Sequence, residues 1–225
     1  MKTVSLNDSL FYIDTSFRFL GALPFPVRMT VIRLKEGKLW LHSPIKTTNE
    51  VRQALLEWGQ PTYLIAPNLF HHLFLNEMKA AFPDAKVFSA KGLKEKQPQL
   101  HIDAILDQEA PWQNEIAQIN LGGQPKVNET VFFHFASKTL ILTDLIFHFD
   151  RFPNLFSKLL WMSNLIVENK VGVSRMYRSM IKDKKQFKES LEKIFEWDFE
   201  HLIMCHGKII TGDAKEKLKE AFSWL

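Results

Sequence analysis

The side chains best able to do chemistry lie in three short runs, each an apolar stretch that ends in a metal-donor residue. Residues 62–66 lead through Pro67 and Asn68 into the tandem His71-His72; Thr139-Leu140-Ile141-Leu142-Thr143 runs straight into Asp144; Leu202-Ile203-Met204-Cys205 ends in His206-Gly207. Two imidazoles and a carboxylate, each delivered at a strand end, are the donor types that borderline divalent ions such as zinc, iron and manganese accept. Strand ends are also where α/β folds build their sites. Each donor has a plain structural role to set against that one. His71 and His72 could be polar residues of a first helical turn, Asp144 an N-cap, and His206 a hydrogen-bonded core histidine. Cys205 is the only cysteine, which excludes an internal disulfide and a cysteine-built zinc site.

The flanking sequence supplies elements to hold these donors. Residues 9–13 and 29–34, rich in β-branched and aromatic types, read as strands, and the second turns through Glu36-Gly37-Lys38 into Leu39-Trp40-Leu41-His42 as a hairpin. Thr48-Asn49-Glu50 offers N-cap types ahead of Val51, Ala54, Leu55 and Trp58 at helical spacing, with Gly59 and Pro61 as the stop. From Leu69 through Leu73, Met78 and Phe82 the spacing is helical again, and Val87-Phe88 opens another short strand. Residues 102–106, 116–121, 131–135 and 139–142 return to β character; helices resume at Leu155; a last strand over 201–205 precedes a closing helix over 214–225. Two βα halves around a β-rich middle predict an α/β protein built as a four-layer α/β/β/α sandwich. The glycine pair Gly122-Gly123 does not have the spacing of a dinucleotide loop, which sets aside a doubly wound nucleotide-binding sheet.

With 225 residues, 46% of them hydrophobic, the chain can bury a substantial core, and one domain over 1–225 accounts for it. Met1-Lys2-Thr3-Val4 does not read as a secretory signal, and no apolar run reaches the roughly 20 residues that span a bilayer, so the expected location is cytoplasmic. The net charge of +4 comes from scattered lysines, and no aromatic-interleaved basic motif points to nucleic acid.

At the level of wording, Leu39-Trp40-Leu41-His42-Ser43-Pro44, Ala66-Pro67-Asn68-Leu69-Phe70-His71-His72, Val131-Phe132-Phe133-His134 and Thr139-Leu140-Ile141-Leu142-Thr143-Asp144-Leu145 resemble the metallo-β-lactamase superfamily, within a branch known only as a domain of unknown function. The resemblance implies that superfamily's sandwich fold and a site where metal ions activate water. Carried over by position, the superfamily's His-x-His-x-Asp-His motif falls on Ala66, Asn68, Phe70 and His71, its bridging aspartate on Asp144 and its last histidine on His206. The loop histidine it expects near 121–128 is replaced by Gly122-Gly123-Gln124-Pro125-Lys126. The first metal's three histidines are therefore absent. What remains is a reduced, single-metal set of His71, Asp144 and His206, with His72 as a further donor and Asn68, His42 and Glu129 as substrate-binding or supporting residues. The expected cofactor is one divalent ion, zinc, iron or manganese, or none.

Residues 147–187 depart from the superfamily pattern. Phe147, Phe149, Phe152, Leu155, Phe156, Leu159, Leu160, Trp161, Leu165 and Ile166 make a longer apolar band than one helix face requires, expected as core plus lid within a helical insertion, with a homodimer surface or a membrane-surface patch as the alternatives. Three functions follow from these readings: a metal-dependent hydrolase acting on an unknown small molecule, a degenerate metal-free member that binds a small ligand or a protein, and a peripheral membrane or scaffold protein.

Overall fold

A computed structural model of the chain describes residues 2–19, 23–106 and 109–225; Met1, with which the N-terminal reading begins, lies outside them. Fourteen strands are present among the described residues. β1 (Lys2–Ser5), β2 (Leu10–Phe19), β3 (Leu23–Arg33), β4 (Lys38–His42), β5 (Gln60–Ala66), β6 (Lys86–Ser89) and β7 (Ala104–Ile105) form one sheet in that spatial order. β1 to β4 are an antiparallel meander, whereas β4 to β7 run parallel. β8 (Ile116–Asn120), β9 (Thr130–His134), β10 (Thr139–Ile141), β13 (His201–Ile203) and β14 (Ile210–Thr211) form a second sheet in the order β14-β13-β10-β9-β8, and β10 pairs parallel with β13. The short pair β11 (Phe147–His148) and β12 (Val171–Gly172) stands apart.

Among the described residues there are seven α-helices: α1 (Asn49–Trp58), α2 (Leu75–Ala81), α3 (Leu93–Lys96), α4 (Leu155–Ser163), α5 (Arg175–Met180), α6 (Lys184–Glu196) and α7 (Ala214–Ala221). α1 starts where the sequence placed its cap, with Thr48 Oγ1 accepting from the Val51 N–H at 3.3 Å. The helix predicted from Leu69 begins only at Leu75, because residues 69–74 are spent on turns that carry His71.

Three apolar layers explain the stacking. Val51, Leu55, Leu75 and Met78 pack α1 and α2 on the outer face of the first sheet. Trp40, Ile65, Phe88, Trp112, Phe132, Ile141 and Ile203 fill the space between the sheets. Tyr177, Phe187, Leu191, Ile194 and Leu218 close the second sheet with α5, α6 and α7. The order helix, sheet, sheet, helix is the predicted sandwich, and burial of these side chains, at roughly 1.5–3 kcal/mol each, is its main support.

Residues 147–187, expected as core plus lid within a helical insertion, divide in two. Val173, Tyr177, Ile181 and Phe187 belong to the outer helical layer. Only Phe147, Phe149, Phe152 and Ile166, with Trp161 and Phe25 against them, form a separate small cluster.

Candidate functional site

Four strands that run in parallel pairs end at one rim of the sandwich. β4 and β5 are neighbours in the first sheet, with His42 level with Ile65, and beyond their ends lie Ser43, Asn68 and His71. β10 and β13 are neighbours in the second, with Ile141 level with Ile203, and beyond their ends lie Asp144 and His206. Cross-sheet bonds lock the loops together. Leu69 N–H donates to Val127 O at 2.9 Å, Thr130 N–H to Pro67 O at 2.8 Å, and Arg28 Nη1 to Met204 O at 3.1 Å. Gly207 follows at φ 107° because its backbone lies directly against the His148 carbonyl, leaving no room for a Cβ.

His71, Asp144 and His206 converge, with one donor atom from each lying within 4.8 Å of the others. His71 Nε2 is 3.3 Å from Asp144 Oδ2, and His206 Nε2 is 3.2 Å from Asp144 Oδ1. Ligands about 2.1 Å from a tetrahedral ion are about 3.4 Å apart, so each imidazole–carboxylate pair, taken alone, has the spacing of two ligands of a small divalent cation. Each imidazole is engaged from behind. His206 Nδ1 donates to Pro26 O at 2.8 Å, and His71 Nδ1 lies 2.6 Å from Ser43 Oγ. Such partners leave both Nε2 atoms facing the carboxylate, as they would for a metal.

Asn68, fully buried, is the hub of the rim. Its Oδ1 accepts from the N–H groups of Phe70 and His71, both at 2.8 Å, and its Nδ2 donates to Thr143 Oγ1 and Asp144 Oδ2, both at 2.9 Å. Glu129 lies beneath. Its Oε1 accepts from the N–H and the hydroxyl of Thr143, both at 2.7 Å, while Oε2 is buried without a partner. His42 is also buried, stacked on Trp40, with neither ring nitrogen hydrogen-bonded. His72 does not join the convergence: its N–H donates to Phe70 O, and its ring is half-buried beside Lys96. Phe70, at the position where the resemblance expects a carboxylate, turns outward at 44% exposure beneath Lys96.

The electrostatics follow from this packing. Burial would raise Asp144, but His71 and His206 outweigh it and hold the carboxyl far below the usual range. Burial would lower His71, but Asp144 and Cys205 hold it well above the ordinary imidazole value. Glu129 is pushed up to about 7 by burial and then by the charge of Asp144. His42 is driven well below its usual value by burial and then by His71. One side of the site is walled: Phe25 lies 4.4 Å from the His206 ring, and Phe147 stacks on it at 5.6 Å. The other side keeps only slight solvent contact, the side chains of His71 and Asp144 being 10% and 18% exposed against 3% for His206.

The family described as "Domain of unknown function (DUF4336)" matches residues 8–178. The chain belongs to this family. Solved structures extend the fold assignment over nearly the whole length. A metallo-β-lactamase from Pontibacter korlensis is 11% identical with a TM-score of 0.66, covering 98% of this chain and 97% of its own. The metallo-β-lactamase FIM-1 from Pseudomonas aeruginosa, in a mono-zinc form, is 8% identical with a TM-score of 0.65, covering 98% and 93%. The metal-soaked Flv1 flavodiiron core from Synechocystis sp. PCC6803 is 10% identical with a TM-score of 0.68, covering 99% of this chain and 60% of its own. At such identities the likeness shows the fold: this DUF4336 chain has the metallo-β-lactamase architecture. No curated protein sequence matches it.

Two contributors went unread in the sequence. Ser43 holds His71 from a left-handed backbone at φ 59°, and the dipeptide Ser43-Pro44 directly after a strand was the available signal. The Phe25 half of the aromatic wall had no signal, because it comes from the remote β2–β3 hairpin, whereas Phe147 belongs to the apolar band read as a lid.

Proposed function

We propose that this DUF4336 chain holds one divalent metal ion, zinc, iron or manganese, between His71, Asp144 and His206, and that it is a metal-dependent hydrolase of narrow scope. The observation that carries the reading is that two imidazoles, each engaged at Nδ1, turn Nε2 to opposite oxygens of one carboxylate. A single zinc in FIM-1 shows that the fold accommodates one ion. When bound, the ion would supply Lewis acidity toward a carbonyl or phosphoryl oxygen.

The chain's own residues do the rest. Asp144 provides the negative charge, Asn68 fixes its Oδ2, and Glu129 sets Thr143 beside it. Phe25 and Phe147 exclude water behind His206, so a small-molecule substrate approaches over His71 and Asp144. His42 and His72 lie at the margin, as supporting residues rather than ligands. Ala66 and Asn68 leave a second ion without donors, so activity toward ordinary lactam, thioester or phosphodiester substrates is weak. Residues 1–225 act as one domain in this reading, because strands of both halves share the core between the sheets.

A second reading is favoured by one observation: Asp144 already pairs with both imidazoles, so the site is charge-balanced without an ion. It makes the chain a metal-free module that binds a small ligand or a protein. Elemental analysis of protein purified without chelator or histidine tag, with thermal melts in added zinc, manganese or iron(II), separates the two, since a ligand of the folded state must stabilise it. About one equivalent of metal, lost together with activity in Asp144→Ala while circular dichroism is unchanged, is the expected result. Negligible metal with no thermal gain leaves the second reading; activity persisting in Asp144→Ala removes the first.

A further inference from the structure

The second part of the molecule that asks for a function is α4. Asn154 caps it, accepting from the Ser157 N–H at 2.8 Å, yet Ser157 is the helix's only fully buried residue. Leu155, Phe156, Leu159, Leu160 and Met162 face outward, between 43% and 70% exposed, and Met176, 56% exposed, adjoins them through its N–H bond to Asn164 Oδ1. Of its apolar side chains Trp161 alone turns inward, onto Phe25, Phe147, Phe149 and Phe152, so the helix is tethered along one narrow edge. Elsewhere among the described residues, exposed large apolar side chains occur singly or in pairs, such as Leu56 on α1. Scattered exposure is ordinary; five such residues within one nine-residue helix mark a contact surface.

Charge indicates what covers it. Residues 150–178 carry five Lys or Arg against two Asp or Glu. Both acids are already paired, Glu168 with Lys158 at 3.0 Å and Asp150 with Lys208 at 2.5 Å. Arg151, Lys170 and Arg175 are exposed and form no ion pair among the described residues. A second copy of the chain would bring the same cationic rim against itself, which opposes a two-fold dimer through this face. An anionic bilayer meets both requirements, taking Leu and Phe into its acyl boundary and the basic rim onto its headgroups. No helix among the described residues is long and apolar enough to cross a membrane, so the contact is with the surface.

We propose that α4 and its basic margin form a docking face for an anionic lipid bilayer, with the helix lying in the plane of the interface. This does not depend on the metal reading. Co-sedimentation with vesicles of phosphatidylcholine alone and of phosphatidylcholine with phosphatidylglycerol tests it. Binding is expected only to the anionic vesicles, weakening with salt above ~0.1 M as the rim is screened. The double variant Phe156→Asp/Leu159→Asp should lose about tenfold or more of the bound fraction, since both apolar insertion and charge attraction are opposed. Leu56→Asp, on a different face, serves as control and should bind as the parent does; circular dichroism confirms the fold of each. No binding to anionic vesicles, or equal binding by the double variant, overturns the proposal. So does a dimer, seen by analytical ultracentrifugation, that the double variant abolishes, for the face would then belong to a second copy.

Discussion

Ser43 joins two properties that a pair of substitutions can separate. Its Oγ lies 2.6 Å from His71 Nδ1, and its backbone sits at φ 59°, a conformation that costs a non-glycine residue about 1–2 kcal/mol. In Ser43→Ala the hydroxyl is lost and the strain stays, so stability should fall by about 1–2 kcal/mol, the worth of one partly buried hydrogen bond. In Ser43→Gly the hydroxyl is lost and the strain is relieved. After allowing for glycine's larger unfolded-state entropy, that variant should be more stable than Ser43→Ala by roughly 0.5–1 kcal/mol. Under the proposed single-metal reading, affinity should behave differently, because it depends on the hydroxyl that fixes the imidazole: both variants should bind zinc about 10- to 100-fold more weakly, roughly 1.4–2.7 kcal/mol. Chelator competition at fixed pH measures the affinities, and urea unfolding of metal-stripped protein measures the stabilities. Parental zinc affinity in both variants would refute the orienting role of Ser43; affinity lost in Ser43→Ala but kept in Ser43→Gly would assign it to the backbone instead.

Asn68→Ala removes four hydrogen bonds at a fully buried position, one of them to a carboxylate, and urea unfolding should show a loss of about 3–5 kcal/mol; a loss under about 1 kcal/mol would mean that the hub is dispensable. His134 is buried, its Nδ1 2.7 Å from Ser137 Oγ, and burial lowers it to about 4. Between that value and the ordinary 6.5 the unfolded chain binds the extra proton, so stability rises with pH across this window and is lost as pH falls through it, by about 3 kcal/mol. His134→Gln should flatten that part of the stability curve, and an unchanged slope would place the proton elsewhere. Gly207→Ala would set a Cβ on the His148 carbonyl at φ 107°, so a thermal melt should show a loss of at least about 2 kcal/mol, with weaker zinc binding because His206 is adjacent.

The fold was legible because its local signals agree with its global packing. The Thr48 cap, the Val51–Leu55 face and the short apolar runs ending at Ala66 and Ile141 each stand close to where periodicity put them. The parts that misread depend on the partner strand rather than on their own pattern. Residues 14–19 and 23–28 carry polar and proline positions that blur strand alternation, yet they extend the β2–β3 hairpin because each completes the other's ladder. The strand expected over 102–106 shrinks to Ala104–Ile105, since only β6 flanks it. In the site, the convergence of His71, Asp144 and His206 was legible from strand ends and resemblance. The depth of Glu129 was not: a lone acid before an apolar run reads as an exposed strand edge, and only the Thr143 N–H and hydroxyl explain its burial.

The bonding of Asn68 also bears on how such a site could change over generations. Its amide supplies against Asp144 a positive dipole where a cation could stand, and its carbonyl gathers two backbone donors of the following turn. A histidine at this position would break all four bonds before it gained an ion, because Ala66 and the loop over 121–128 offer no co-ligand. A second metal site would therefore require several replacements at once, and the one at position 68 would first lose these bonds. The side chain works as a latch that occupies with its own hydrogen bonds the space a further ligand would need.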